Sequence, residues 1–160
     1  MPAGTVFNSV EDTVAAALWI FGSAKHEIVY LVPSSMLSLA GTLDTVESAK
    51  RFIQRGGIMR GITSVSRVNV EEARMRLGIG EDLRHSDHPH KIFLFVGDQR
   101  YSVSSMNVGI NEYTVATPFV ALWSEDPIYA AYLLASFESA WTQAVPAASR
   151  IQELMERGAG

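Results

Sequence analysis

Residues 27–32 are the stretch of this sequence most informative about architecture: Glu27-Ile-Val-Tyr-Leu-Val32, a run that ends at Pro33. The run is apolar, rich in β-branched residues and without polar–apolar alternation, which is typical of a strand covered on both faces. Apolar residues at helical spacing precede it over residues 10–21 and follow it over residues 43–53, and residues 58–63 supply a second strand. The order helix, strand, helix, strand predicts an α/β domain with a central parallel strand.

The second half of the chain adds a short helix, several short strands and a long helix. Asn69 can cap a helix over residues 70–77, and Asp126-Pro127 is a strong start for a helix that Pro146 breaks or kinks. Four candidate strands lie between these helices, at residues 83–86, 91–96, 101–106 and 119–123. We therefore predict a layered α/β/α domain with a mixed, mostly parallel sheet and a long C-terminal helix. In this prediction a single domain covers residues 1–160, with residues 146–160 available as a helical connector to a following module.

Composition limits the classes of function. The chain has 160 residues, 48% hydrophobic and 19% charged, as in one compact globular domain. Its lack of cysteine excludes disulfides, iron–sulfur clusters and thiolate zinc sites. A formal net charge of −4 argues against direct nucleic-acid binding, because a phosphate-binding groove needs clustered positive charge. The densest positive group, Arg67, Arg74 and Arg76, is interleaved with Glu71 and Glu72, which predicts a solvated helix face.

The sequence predicts neither a membrane span nor a bound cofactor. The longest apolar run, Val14 to Phe21, is far shorter than the ~20 residues needed to cross a bilayer. The first residues lack the basic and apolar regions of a secretory signal, so we expect a cytoplasmic protein. Signatures for dinucleotides, nucleoside triphosphates, serine hydrolases and zinc peptidases are all missing, so no cofactor is expected.

A cluster of imidazoles offers one candidate site. His85, His88 and His90 lie close together with Asp87 between them, and imidazole and carboxylate are ordinary ligands of zinc, nickel or iron. In an extended strand His88 and His90 would point to one side and the other two residues to the opposite side. One metal would therefore need a turn at Pro89 to gather more than two ligands. A metal site of these four residues and a polar strand end with solvated imidazoles both remain open.

The same segment resembles the signature of phospholipase D-like proteins, H-x-K-x4-D-x6-G-S-x-N. In that family the histidine attacks phosphorus, while the lysine and the asparagine hold phosphate oxygens. His90, Ser105 and Asn107 match this register, and Ser104 stands at the usual glycine. We expect a binding pocket near these positions, formed by His90, Lys91, Ser104, Ser105 and Asn107. If the chain is an enzyme, His90, Lys91 and Asn107 are its expected catalytic residues.

The charged positions depart from this signature. Ile92 takes the lysine position and Gly97 takes the aspartate position, whereas Lys91 and Asp98 each miss by one residue. In a strand, a slip of one residue turns a side chain to the other face. Losing one charge-stabilising donor costs about 10²–10³ in rate, so we expect a degenerate site without catalysis.

A wider resemblance covers most of the chain. The segments Ala24 to Pro33, Arg55-Gly-Gly, Arg60-Gly-Ile-Thr63 and Phe137 to Ile151 are similar to phospholipase D-like input domains of sensor histidine kinases and transcriptional regulators, particularly archaeal ones. The resemblance implies a homodimer and a fused or partner kinase or DNA-binding module.

These observations favour a non-catalytic sensory or ligand-binding domain in signal transduction or transcriptional regulation. Its expected ligand is a small, anionic molecule bound near His90. One alternative is a divergent, metal-independent phosphodiesterase or nuclease that acts as a homodimer through His90. The other is a metal-binding domain that uses the histidine cluster.

Overall fold

The computed structural model describes residues 4–34, 37, 45–87, 92–105, 109–111, 114–115 and 119–158. The helices of this part are α1 (Val10–Ser23), α2 (Thr45–Gln54), α3 (Val70–Gly78), α4 (Pro127–Gln143) and α5 (Ala147–Gly158). Its strands are β1 (Val6–Phe7), β2 (Glu27–Leu31), β3 (Ile58–Thr63), β4 (Asp82–His85), β5 (Phe93–Gly97), β6 (Tyr101–Ser105), β7 (Gly109–Asn111), β8 (Thr114–Val115), β9 (Ala121–Ser124) and β10 (Val145–Pro146).

Eight of the strands form one sheet in the order β1-β9-β6-β5-β2-β3-β4-β10, and β7 pairs with β8 apart from it. The pairs β2–β3 and β3–β4 are parallel, and the other pairs within this described sheet are antiparallel. The predicted α/β class with a mixed sheet is confirmed, but the sheet is mostly antiparallel rather than mostly parallel. For the β5–β6 pair the reason is connection length: residues 98–100 are too few for the crossover that a parallel pair requires.

Apolar layers cover both faces of the sheet, which confirms the α/β/α arrangement. Because successive strand residues point to opposite faces, Ile28 and Tyr30 pack into one layer and Val29 and Leu31 into the other. The layer around Ile28, which we call the four-helix layer, contains buried residues of α1, α2, α3 and α5. The opposite layer, which we call the α4 layer, contains the buried face of α4: Ala130, Leu133, Phe137 and Trp141.

The predicted C-terminal helix is present as two helices. Asp126 caps α4 by accepting a hydrogen bond from the backbone N–H of Ile128 at 2.8 Å, and Pro127 occupies the first turn. After α4, Val145 and Pro146 form β10, which pairs antiparallel with β4. Pro146 thus separates α4 from α5, as its lack of a backbone N–H predicts. No helix in the described ranges is long and apolar enough to cross a membrane.

The turn between β5 and β6 is anchored by Asp98. Its carboxylate accepts hydrogen bonds from the backbone N–H groups of Lys25, His26 and Glu27 at 2.8, 2.9 and 3.0 Å. Asp98 and Gln99 have φ values of 50° and 59° and form the left-handed centre of a turn, in which the N–H of Arg100 donates to the carbonyl of Gly97 at 3.1 Å. The turn therefore fixes the start of β2 as well as the β5–β6 hairpin.

Candidate functional site

In the sequence, the predicted binding residues lie within or beside β5 and β6, two strands that each have an end at the same edge of the sheet. The parallel strands β2, β3 and β4 place their carboxyl ends there. Leu31 of β2 lies opposite Leu94 of β5, and Phe93 lies opposite Ser105 of β6, so β5 begins and β6 ends at the same edge. We call this the carboxyl edge. Ligands of open α/β sheets bind outside the carboxyl ends of the strands, so the position suits a binding site.

Ser104 and Ser105 lie at the carboxyl edge and point to opposite faces of the sheet, as neighbouring strand residues do. The Ser104 hydroxyl is 2.8 Å from the hydroxyl of Tyr129 on α4. The Ser105 hydroxyl donates a hydrogen bond to the carbonyl of Val120. The structure therefore places both predicted serines at the edge, but their hydroxyls do not converge on one point.

The other predicted binding and catalytic residues, His90, Lys91 and Asn107, lie outside the described residues, and so does His88 of the metal interpretation. Asp87, Ile92 and Ser105 are the described residues nearest to them in the sequence.

At two positions where the signature has a charged residue, this chain has an uncharged residue that packs against the core. Ile92, at the lysine position, is partly buried and packs against the α4 layer. Gly97, at the aspartate position, is packed so closely that a Cβ atom there would lie 2.4 Å from Cγ2 of Ile20. Ile20 is fully buried, so a side chain at position 97 would require a shift within the packed core. Asp98, the nearest carboxylate, anchors the β5–β6 turn at the far end of β5.

His85 is held at both ring nitrogens. Its Nδ1 accepts a hydrogen bond from the backbone N–H of Val65 at 2.9 Å, and its Nε2 lies 2.7 Å from Oδ1 of Asp87. Because Nδ1 is an acceptor, Nε2 carries the ring proton and donates it to the Asp87 carboxylate. A metal at His85 would have to displace one of these partners. In the described ranges, no three histidine, aspartate or glutamate side chains form a group that could hold a metal.

Val65 connects this edge to the last helix. Its N–H binds His85 of β4, and its carbonyl accepts a hydrogen bond from Nε of Arg150 on α5 at 3.2 Å. Val145 of β10 also pairs with His85. These contacts could not be inferred from the sequence, because they involve backbone groups that carry no residue-specific signal.

The prediction of a solvated face was wrong for Arg76, which is only 2% exposed. Its guanidinium forms an ion pair with Glu81 at 3.0 Å, and the Tyr30 hydroxyl donates to the other carboxylate oxygen of Glu81 at 2.6 Å. Burial raises the pKa of the Glu81 carboxyl, although Arg76 and Tyr30 both favour its ionised form. The signal for this cluster was present in the sequence: Arg76 follows the buried Ala73 by three residues, which places both on the inner face of α3.

No family model and no curated protein matches the chain. Solved structures do match it. TrmBL2, an archaeal chromatin protein with a novel mode of DNA binding, aligns with a TM-score of 0.70 at 13% identity. The alignment covers 91% of this chain and 55% of TrmBL2, so the chain spans about half the length of that protein.

Two proteins of similar size match along almost their whole length. Nuc from Salmonella typhimurium, a phospholipase D family member, aligns with a TM-score of 0.66 at 16% identity over 91% of this chain and 98% of its own. NucT from Helicobacter pylori aligns with a TM-score of 0.66 at 12% identity over 89% and 98%. The chain has a phospholipase D-like fold.

Proposed function

We propose that the chain is a non-catalytic ligand-binding domain of a signalling or transcription-regulating protein. Its ligand is a small anionic molecule held at the carboxyl edge by His90, Lys91, Asn107 and a serine hydroxyl, either Ser104 or Ser105. The domain acts as a homodimer and passes its state to a fused or partner module.

The observation that carries the proposal is the environment of Ile92. Phosphoryl transfer through a histidine needs a cation to stabilise the charge that develops on the phosphate oxygens. The signature supplies it from the lysine position, where this chain has an isoleucine packed against the α4 layer. Losing such a donor costs about 10²–10³ in rate, and a homodimer would lose it in both copies. Binding an anion does not require a cation at the lysine position of the signature, because Lys91 and backbone N–H groups can attract the anion.

The contacts of Val65 support a route for output. A ligand that changes the carboxyl edge acts next to His85, which is hydrogen-bonded through Val65 to Arg150 of α5. A ligand shifts a conformational equilibrium only by its differential affinity for the two states, and ~1–3 kcal/mol of coupling is typical. In this proposal ligand binding changes the position of α5, and the segment 146–160, which contains α5, connects the domain to the next module.

The test combines a hydrolysis assay with a binding assay. Bis-p-nitrophenyl phosphate and DNA are incubated without added metal with the wild type and with His90→Ala. We expect no turnover above buffer from either protein. Inorganic phosphate should raise the thermal unfolding temperature of the wild type and of Lys50→Ala, a control at an exposed lysine of α2, but not that of Lys91→Ala.

Three results would contradict the proposal. Hydrolysis by the wild type that His90→Ala abolishes would establish the alternative function, a metal-independent phosphodiesterase or nuclease, which the matching positions of His90 and Asn107 favour. An equal rise of the unfolding temperature with phosphate in Lys91→Ala and Lys50→Ala would contradict an anion site that includes Lys91. Stoichiometric zinc or nickel in protein purified without a histidine tag would favour the metal-binding alternative instead. Sedimentation equilibrium tests the homodimer.

A further inference from the structure

The two faces of the eight-stranded sheet are covered unequally. Buried residues of α1, α2, α3 and α5 pack on one face, whereas α4 is the only described helix on the other. Strands about 4.8 Å apart make a sheet of this size roughly 35–40 Å wide, and a helix with its side chains is about 10–12 Å wide. One helix therefore covers only part of the second face. We call this surface, with α4 on it, the α4 face.

Strand register shows which parts of the α4 face are open. One row of paired residues crosses all eight strands on this face: Val6, Leu122, Ser104, Leu94, Leu31, Ile62, Arg84 and Pro146. Leu94, Leu31 and Ile62, in the middle of the row, are buried. Val6 at one border is 56% exposed, and Ile58, which faces the same way as Ile62 on β3, is 62% exposed. The α4 face thus leaves apolar side chains uncovered around the helix.

The outward surface of α4 is apolar and nearly free of charge. Tyr132 is 71% exposed, Ile128 one turn before it is 81% exposed, and the small residue Ala135 is exposed beside them. Glu138 is the only charged residue of α4, and its carboxylate forms an ion pair with Arg60 of β3. Every other described helix carries at least two exposed charged side chains.

The lack of charge favours a second copy of this chain as the partner. In a twofold contact each copy presents the same surface to the other, so a net charge on that surface would repel itself. The outward surface of α4 avoids this repulsion, because its single carboxylate is already paired. A charged partner would be recognised through complementary charges, and α4 does not offer them.

The dimensions of the α4 face suit a small dimer interface. The 17 residues of α4 form a helix about 25 Å long. The sheet beneath it, with central strands of about five residues, measures on the order of 600 Å². Two such faces would bury about 1,200 Å² in total, the lower limit for specific interfaces. The area therefore fits a dimer that dissociates reversibly.

We propose that the α4 face binds the α4 face of a second copy across a twofold axis close to Tyr132. Ala135 allows the two helices to approach closely, and Tyr132 of each copy packs against the helix of the other. Ile128, in the first turn of α4, lies at the rim, where truncation costs little affinity. This inference rests on the homodimer of the proposed function and names its interface.

The test measures the dimer dissociation constant by sedimentation equilibrium for the wild type, Tyr132→Glu and Tyr132→Lys. Each variant sets like charges against each other across the axis, so we expect the constant to rise at least tenfold in both. An equimolar mixture of the two variants should recover dimers, because opposite charges then meet. Met75→Glu is the matched control, at a side chain of α3 that is 48% exposed on the opposite side of the sheet, and should keep the wild-type constant. Ala135→Glu and Ala135→Lys replace the Tyr132 pair if circular dichroism shows that the latter do not fold.

Three results would overturn the inference. Unchanged dissociation constants in both Tyr132 variants would leave the homodimer of the proposed function in place but joined elsewhere, as at the carboxyl edge. Dissociation without recovery in the mixture would mean that the α4 face meets a different surface of the second copy. A monomeric wild type would remove the homodimer as well and leave the α4 face to a different protein, whereas the phosphate response of Lys91→Ala tests the ligand site separately.

Discussion

At the scale of single residues, Asp98 has the most clearly defined task. Burial of part of its carboxyl opposes ionisation, but the backbone N–H groups of Glu27, Lys25 and His26 outweigh this and lower the pKa of Asp98. An aspartate with a lowered folded-state pKa stabilises the fold at any pH above its unfolded-state pKa, and this contribution is lost as the pH falls through the folded-state value.

Asp98→Asn should lower the free energy of unfolding by about 1–2 kcal/mol at pH 7. The amide has one acceptor oxygen, whereas the carboxylate has two, and the substitution also removes the negative charge. Asparagine tolerates a positive φ, so backbone strain does not contribute. The difference from wild type should shrink as the pH falls below about 3.9, where the unfolded-state aspartate is protonated. Urea unfolding at a series of pH values measures the difference in the free energy of unfolding, and Asp82→Asn, at an exposed residue of β4, is the control. A difference that stays constant with pH would contradict the role given to the carboxylate.

The candidate site could be predicted from the sequence only in part at this scale. The signature register located Ser104 and Ser105 at an edge suited to ligands, because strand ends can be inferred from apolar runs. The burial of Arg76 was not foreseen, because the charges around it dominate the local pattern and only the spacing from Ala73 indicates an inner face. The bond from the backbone N–H of Val65 to His85 could not be inferred, since the two residues are distant in sequence.

At the scale of elements, β5 shows how closely α1 packs on the sheet. Phe93 and Phe95 face the four-helix layer, Leu94 and Val96 face the α4 layer, and Gly97 ends the strand against Ile20. The strand is buried throughout. A side chain at position 97 would have to push α1 away from the sheet.

Gly97→Ala should therefore destabilise the protein by about 1–3 kcal/mol, the usual cost of overpacking a well-packed core. Gly22→Ala is the matched control: Gly22 lies in α1 with no atoms close to a Cβ, and alanine there should stabilise the helix by roughly 0.5–1 kcal/mol. Chemical denaturation of both variants gives the comparison. Equal stability of Gly97→Ala and wild type would contradict the tight contact with Ile20.

The sequence predicted elements better than their arrangement. β3 has the predicted bounds and β2 differs by one residue, because long apolar runs between turn residues are strong signals. The direction of β5 relative to β2 was not predictable from those runs, since an apolar run does not show in which direction its strand crosses the sheet. β1 and β10 were missed because strands of two residues are too short to show any periodicity.

In the whole molecule, the two apolar layers lie on opposite faces of one sheet, and central strands such as β2 and β5 contribute residues to both layers. Phe52 is fully buried in the four-helix layer and Phe137 in the α4 layer. Because adjacent residues of β2 and β5 belong to different layers, separation of these strands would remove packing from both layers at once. We therefore expect the two layers to unfold together.

Phe52→Ala and Phe137→Ala should each lower the free energy of unfolding by about 3–5 kcal/mol, the usual range for a buried phenylalanine. Each variant should still show one transition, with the same midpoint by circular dichroism and by tryptophan fluorescence. Ile128→Ala, at a side chain that is 81% exposed, should change the midpoint little. Two separate transitions in either phenylalanine variant would mean that the layers are independent, and would also contradict the prediction of a single domain.

The outermost strands of the sheet, β1 and β10, are only two residues long, and β10 contains Pro146. A chain that approached either border would find few backbone groups to bind, and on one side a proline that has no N–H to donate. The sheet is therefore a poor template for the growth of fibrils, and crowded solutions of the folded protein should resist aggregation by strand addition.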